Sequence, residues 1–287
     1  MIKMFVFDLD GTLLKKDQSF DDHTVDMIKE LQNDGKKIVI ATGRNYTLSY
    51  YLAEQYDIQC DMIVNNGHEI RWPQNTAYVP FDKEILLKVL AIFKKYDMHV
   101  TAYGEDDTKY SFYDEDKYYD VHISMSESMR GYSLEDKKDI PLFSREYYAK
   151  NLIQVEEVSG FENINILKID SKSLDTESNK KCLEELREIS NIMIASSCEE
   201  YIEVIQDNAH KATAVLELAK SYGITPDEIC VFGDGENDIE MLGAVKYSFA
   251  MGNAKDSVKQ VAKYVTDDHN SQGVLKGLMQ LREMGEI

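Results

Sequence analysis

The residues able to do chemistry gather in four short clusters. The stretch FVFDLDGTLL (5–14) sets Asp8 and Asp10 two residues apart and follows them with Gly11 and Thr12. A second cluster is Thr42-Gly43-Arg44, a third Asn65-Asn66-Gly67, and a fourth Gly233-Asp234-Gly235-Glu236-Asn237-Asp238. Carboxylates brought together repel one another. They are tolerated when a hard divalent cation that prefers oxygen ligands sits among them. Asp8, Asp234 and Asp238 therefore read as a Mg2+ site. The same cation would draw in a phosphate ester. Thr42 and the backbone amides near Gly43 would hold the phosphate oxygens, close to a helix N-terminus. Lys211, at the start of its own helix, would add a point charge. With positive charge on the phosphoryl oxygens, an aspartate can attack phosphorus and form an aspartyl-phosphate.

For these clusters to meet, they must stand at the ends of neighbouring strands. MFVFDLD, KKIVIAT (36–42), DMIVNN (61–66) and DEICVFGD (227–234) each carry a near-continuous apolar run. Helices separate them. DDHTVDMIKELQND sets Val25, Ile28 and Leu31 on one face and meets Gly35 as a stop; 45–56 and 210–223 also read as helical. Apolar strands alternating with helices predict a parallel sheet buried on both faces. Ligands in such sheets lie outside the carboxyl ends of the strands, where all four clusters fall. ENDIEMLGA reads as a short helix, KYSFAMG (246–252) as a further strand and GVLKGLMQLREM (273–284) as a last helix.

The middle of the chain has a different texture. Residues 98–125 are rich in Tyr, Asp and Thr, with alternating patterns such as VTAYG and KYSFY. Strands are expected near 163–170, 191–197 and 200–206, with a helix at 174–189. The fold class expected is α/β: a Rossmann-like core, 1–81 plus 207–287, interrupted by an inserted α+β domain at 82–206.

Composition narrows the partners. The chain has 287 residues, 32 basic and 52 acidic, for a net charge of −20. Such a surface repels a phosphate backbone, so no nucleic acid is expected. No apolar run approaches a membrane span, and Met1 gives way to a charged pair within ten residues, unlike a secretory signal. Cys60, Cys182, Cys198 and Cys230 are scattered without metal spacing and read as reduced thiols of a cytoplasmic protein. The expected partner is a small phosphorylated metabolite, and the expected state a monomer or weak homo-oligomer.

Taken in order, DLDGTLL, ATGR, a lone lysine before a helix and GDGENDIEML resemble the haloacid dehalogenase superfamily of phosphatases. The opening FVFDLDGTLL and an insertion after NNG resemble its Cof-type subfamily, whose large cap domain follows the third core strand. The resemblance implies a Mg2+-dependent phosphatase with a cap that closes over the site and selects the substrate. It makes Asp8 the nucleophile and a metal ligand. It makes Asp10 the general acid and then base, with its backbone carbonyl on the metal. Thr42, Gly43 and Lys211 would bind the transferring phosphoryl group, Asp234 the metal, and Asn237 substrate phosphate, while Asp238 supports the metal shell. Two positions depart from the pattern: Ala212 follows Lys211 where glycine is usual, and His68 follows Gly67 where a small residue is common. A phosphomutase, and a metabolite-binding protein without turnover, remain alternatives. Sugar phosphates, pyridoxal phosphate, flavin mononucleotide and nucleotide monophosphates are all candidate substrates.

Other features have plainer readings. Arg44 is expected to fix its loop or pair locally. His23, His99, His122, His210 and His269 show no ligand spacing. Tyr110, Phe112, Tyr113, Tyr118 and Tyr119 are expected to pack between cap and core rather than line a substrate pocket.

Overall fold

The computed structural model describes residues 1–73, 75–130, 145–146, 151–195, 199–207 and 209–287. Cys198, and Ser196 and Ser197 of the expected strand 191–197, lie outside the described residues. The strands, in chain order, are β1 (Met4–Phe7), β2 (Lys37–Ala41), β3 (Asp61–Val64), β4 (Glu69–Trp72), β5 (Asn75–Tyr78), β6 (His99–Gly104), β7 (Lys109–Ser111), β8 (Leu152–Gln154), β9 (Ile166–Lys172), β10 (Ile192–Ala195), β11 (Tyr201–Gln206), β12 (Ile229–Gly233), β13 (Tyr247–Ala250) and β14 (Tyr264–Val265). The chain divides into two compact units, Met1–Ala77 with Ala209–Ile287, and Tyr78–Asn208.

The first unit is built on a sheet of order β14-β13-β12-β1-β2-β3-β4-β5. From β14 to β3 the pairs are parallel; β4 turns back antiparallel on β3. Every residue of β1 is buried, because its alternate side chains serve two cores. Phe5 and Phe7 join Ile38, Ile40, Phe232 and Phe249 on one face. Met4 and Val6 join Val39, Ala41, Ile63 and Val231 on the other. This two-sided burial explains the unbroken apolar runs. Phe7, Phe232, Phe249 and Tyr264 form a stacked ladder across four strands, with centroids 5.4, 4.8 and 4.9 Å apart. Register then fixes the site. Phe7 lies beside both Ile40 and Phe232, and Ala41 beside Ile63. The next residues of each strand therefore leave the sheet along one edge.

The second unit carries a sheet of order β10-β11-β9-β6-β7-β8, antiparallel except for β7 with β8. One face holds an apolar core with helices Lys83–Lys95 and Thr176–Leu186, through Leu86, Val89, Leu90, Phe93, Cys182 and Leu186. The alternation read across 98–125 holds for β6 and β7 only; from Glu115 to Arg130 the chain is a helix. Tyr118 and His122, one turn apart on that helix, meet His99 of β6 with ring centroids 4.7 and 5.8 Å away. Tyr118 Oη is 2.8 Å from Thr101 Oγ1. Tyr118 is thus spent inside this unit, as are Tyr110 and Phe112, which lie edge-on to Phe161. Cys60, Cys182 and Cys230 are free thiols. Among the described residues no helix is long and apolar enough to cross a membrane.

His99 is buried, and neither ring nitrogen has a hydrogen-bond partner among the described residues. Burial, then Lys172 and Lys117, lower its pKa from the ordinary 6.5 to about 3. Tyr113, Tyr118 and His122 complete its surroundings. The unfolded chain takes up a proton below 6.5 while folded His99 does not, so this contribution to stability is present at neutral pH and lost as pH falls. The loss approaches about 1.4 kcal/mol per pH unit. In thermal melts, wild type should lose stability relative to His99→Phe between pH 6.5 and pH 4.5; a difference that stays constant with pH would show that His99 is not held neutral.

Candidate active site

The site begins where β1 ends. Asp8 is buried, and its amide donates to the Phe232 carbonyl across the sheet at 3.0 Å. The chain then folds back on itself: the Thr12 amide donates to Leu9 and that of Leu13 to Asp8, at 3.2 and 3.3 Å. Gly11 makes the turn with φ +82°, and a Cβ there would lie 2.2 Å from Asp234 Oδ2. Only glycine supplies both the left-handed backbone and the space.

Lys211 opens the helix Lys211–Ser221, and its whole side chain is buried. Nζ donates to Asp8 Oδ1 at 2.6 Å and to Asp238 Oδ1 at 2.7 Å. The other Asp238 oxygen accepts the backbone amides of Asp234 and Gly235, at 3.0 and 2.9 Å. Asp238 therefore closes the loop after β12 and holds the lysine. Asp234 accepts from Thr12 Oγ1 and from Asn253 Nδ2, both at 3.0 Å. Oxygens of Asp8, Asp234 and Asp238 all lie within 4.8 Å of one another.

Thr42, buried, follows β2 and donates its amide to the Ile63 carbonyl at 2.8 Å. Its hydroxyl accepts the Arg44 amide at 3.1 Å. The NNG turn after β3 packs against this loop. Asn66 donates its amide to the Thr42 carbonyl at 3.0 Å and accepts Asn237 Nδ2 at 2.9 Å. Asn65 and Asn66 sit at φ +51° and +57°, a region asparagine tolerates better than most residues. Gly67, at φ +101°, comes so near the His210 backbone that a Cβ would be 2.6 Å from its carbonyl carbon. The turn thus abuts the backbone that delivers Lys211. His68 is buried, and Ala212 packs into the apolar core beside Val39, Ala41 and Ile63.

The structure brings Asp8, Lys211, Asp234 and Asp238 into one cluster and links Thr42, through Asn66, to Asn237. Gly43 lies beside Asn66, where a Cβ would be 3.0 Å from its Oδ1. The Asp10 carboxylate stands apart from the cluster, on Arg44, whose Nε donates to Oδ2 at 2.7 Å and whose Nη2 donates to Oδ1. Sequence reasoning did not assign Thr12, Asn66 or Asn253. Asn253 follows β13, so the strand-end rule that found the other clusters points to it as well.

Burial lifts Asp8 well above the ordinary carboxylate range, Lys211 resisting and Asp238 and Asp234 adding to the rise. Burial and Asp238 push Asp234 up to about 6, against the Thr12 hydrogen bond. Burial works against the Lys211 ammonium, but Asp238 and Asp8 outweigh it and hold the group charged. The one ammonium pairs with Asp8 and Asp238, and Asp234 lies beside them with no cation of its own among the described residues of the cluster. The donors are all oxygen. That set fits a hard divalent cation such as Mg2+, which would remove the repulsion.

An alanine at position 11 would need the same φ and the space now taken by Asp234. Gly11→Ala should therefore displace that carboxylate, weaken Mn2+ binding measured by calorimetry, and destabilise the fold by about 1–3 kcal/mol. Unchanged Mn2+ affinity would mean that Asp234 does not depend on the turn.

The profile of haloacid dehalogenase-like hydrolases matches residues 5–278. A Bacillus subtilis protein named 5-amino-6-(5-phospho-D-ribitylamino)uracil phosphatase YitU is 27% identical over 283 residues, covering 96% of each chain. An Escherichia coli K12 protein of the same activity name is 26% identical over 281 residues, covering 96% of this chain and 94% of its own. Among solved structures, a haloacid dehalogenase-like hydrolase from B. subtilis superposes with a TM-score of 0.76 at 23% identity, over 98% of this chain and 100% of that one. A Thermotoga maritima protein gives 0.74 at 24% identity, over 98% and 97%. With its profile running through all four strand-end clusters, the chain belongs to the family of haloacid dehalogenase-like hydrolases.

Proposed function

We propose that the protein is a Mg2+-dependent phosphatase of small phosphorylated metabolites, working through an aspartyl-phosphate. The observation that carries this reading is the Lys211 ammonium held between Asp8 and Asp238, with Asp234 beside them. One Asp8 oxygen is fixed on the lysine. The other is the nucleophile. As it bonds to phosphorus, the phosphorus–oxygen bond of the ester breaks, and the leaving alcohol takes a proton from the Asp10 carboxyl. Water then attacks phosphorus and gives its proton to Asp10, and the bond from phosphorus to Asp8 breaks. Free phosphate leaves, and both aspartates return to their starting forms. Lys211 and Thr42 hold the phosphoryl oxygens throughout, and Asn237 contacts the substrate phosphate. Mg2+, held by Asp8, Asp234 and the Asp10 backbone carbonyl with Asp238 in support, would neutralise charge on the phosphoryl group.

The names of the Bacillus subtilis and Escherichia coli relatives specify a phosphorylated ribityl compound, so 5-amino-6-(5-phospho-D-ribitylamino)uracil belongs first in any substrate panel. Sugar phosphates, pyridoxal phosphate and flavin mononucleotide follow.

Phosphate release from that panel should require Mg2+, stop with EDTA, and fall by about a thousandfold or more in Asp8→Asn. Turnover by Asp8→Asn at the wild-type rate would rule out the covalent route. A second measurement tests Lys211. Lys211→Met leaves two buried carboxylates unpaired, and should cost about 3–5 kcal/mol of stability in metal-free urea unfolding, with part of that loss recovered on adding Mg2+. A variant as stable as wild type without metal would show that the carboxylates do not depend on the ammonium.

A further inference from the structure

The reading of Asp10 as the proton donor leaves a question that Arg44 answers. The Asp10 side chain is 53% exposed. A carboxylate so open to water would sample several rotamers, whereas proton transfer needs it within hydrogen-bond reach of one oxygen. Both of its oxygens are instead taken by the Arg44 guanidinium. Arg44 is itself anchored at three points, one on the fork and two on its backbone. Its Nη2 donates to Gln18 Oε1 at 2.6 Å. Its backbone amide donates to Thr42 Oγ1 at 3.1 Å, and its carbonyl accepts the Asn65 amide at 2.9 Å. Gln18 stands on a tight turn closed by the Lys15 amide on the Ser19 carbonyl, at 2.9 Å. The residue that grips Asp10 is thus tied to the threonine proposed to hold the phosphoryl group.

From this geometry we infer that Arg44 is the positioning residue for Asp10, the pivot on which the acid–base carboxyl turns between its two proton transfers. The inference rests on the proposed phosphatase reading. In the first transfer one Asp10 oxygen carries the proton to the leaving alcohol, while the other stays on the guanidinium. The carboxylate left behind closes the two-point contact; in the second transfer the same oxygen swings off again and takes the proton from water, which restores the carboxyl while the other oxygen stays on the guanidinium. Arginine suits this task because its planar fork fixes direction as well as charge; lysine supplies a point charge only.

The test uses leaving groups that differ in their need for an acid. p-Nitrophenolate departs without a proton, whereas glycerol must receive one. With Mg2+ present, the ratio of kcat for glycerol 2-phosphate to kcat for p-nitrophenyl phosphate should fall about tenfold or more in Arg44→Met. Arg44→Lys should fall between the two, and guards against a variant that fails to fold. In an Asp10→Asn background, Arg44→Met should change the ratio no further, since it acts through Asp10. Equal loss on both esters, a wild-type ratio in Arg44→Lys, or an undiminished effect in the Asp10→Asn background would each overturn the inference. Asp10→Asn alone separates the two levels. If it lowers the ratio and Arg44→Met does not, the positioning role falls and the acid role stands. If Asp10→Asn leaves the ratio unchanged, the acid role fails and takes the inference with it.

Discussion

Everything at this site depends on one buried ammonium. Lys211 is enclosed by the protein and touches two carboxylates, one from the first strand and one from the loop after β12. A buried charge without partners is strongly unfavourable, and so is a buried carboxylate. Each of the three groups is therefore held in place by the others. The lysine reaches Asp8 across 203 positions of sequence. It comes from a helix that begins just after the chain re-enters the first unit at Ala209. The ion pairs thus tie the C-terminal part of the unit to its first strand, at the edge where the other clusters emerge.

The parallel sheet and the polar clusters at its strand ends were legible in the sequence for a specific reason. A strand buried on both faces has no polar alternation, so a polar residue at its end stands out against it. Asp8, Thr42, Asn65 and Asp234 all follow such runs, and the register of β1 with β2 and β12 brings the first, second and fourth within one residue of the same level. What was not legible depended on partners far along the chain. Asn253 bonds to Asp234 and to the Gly11 carbonyl, 242 positions away, and only the fold reveals that contact. Arg44 could be expected to pair locally, but its partner could not be named until the turn after Asp10 was in place. The helix Glu115–Arg130 hid for another reason. Its buried positions Tyr118 and His122 have helical spacing, but Tyr110 and Phe112 just before them alternate as they would in a strand. The helix Lys83–Lys95 carries a plain amphipathic pattern in Leu86, Val89, Leu90 and Phe93, which the sequence reading passed over.

The two sheets solve burial differently. In the first unit the central strands β1, β2, β3 and β12 are apolar on both faces, and their polar groups stand at or beyond the strand ends. In the second, β6, β9 and β11 carry polar groups along their length. Lys168 pairs with Glu203 at 3.2 Å, and Tyr201 Oη donates to Glu203 at 3.2 Å. Such a face stays ordered only while its hydrogen bonds are satisfied. A volume change is the dangerous substitution in the first sheet, and a lost donor in the second.

The order of the first sheet also bears on how the chain is made. β1 emerges before the other described strands of its sheet, yet it lies between β2 and β12. Its β12 neighbour is synthesised only after the whole of Tyr78–Asn208 has passed. Translation proceeds at about 5–20 residues per second, so β1, β2 and β3 wait on the order of ten seconds or more with one edge of β1 unpaired. The second unit is contiguous in sequence and is the first to have all its strands available. Assembly of the edge that carries the carboxylate cluster is therefore a late event in biosynthesis, and the apolar strands that end there are, until then, the part of the nascent chain most in need of protection from aggregation.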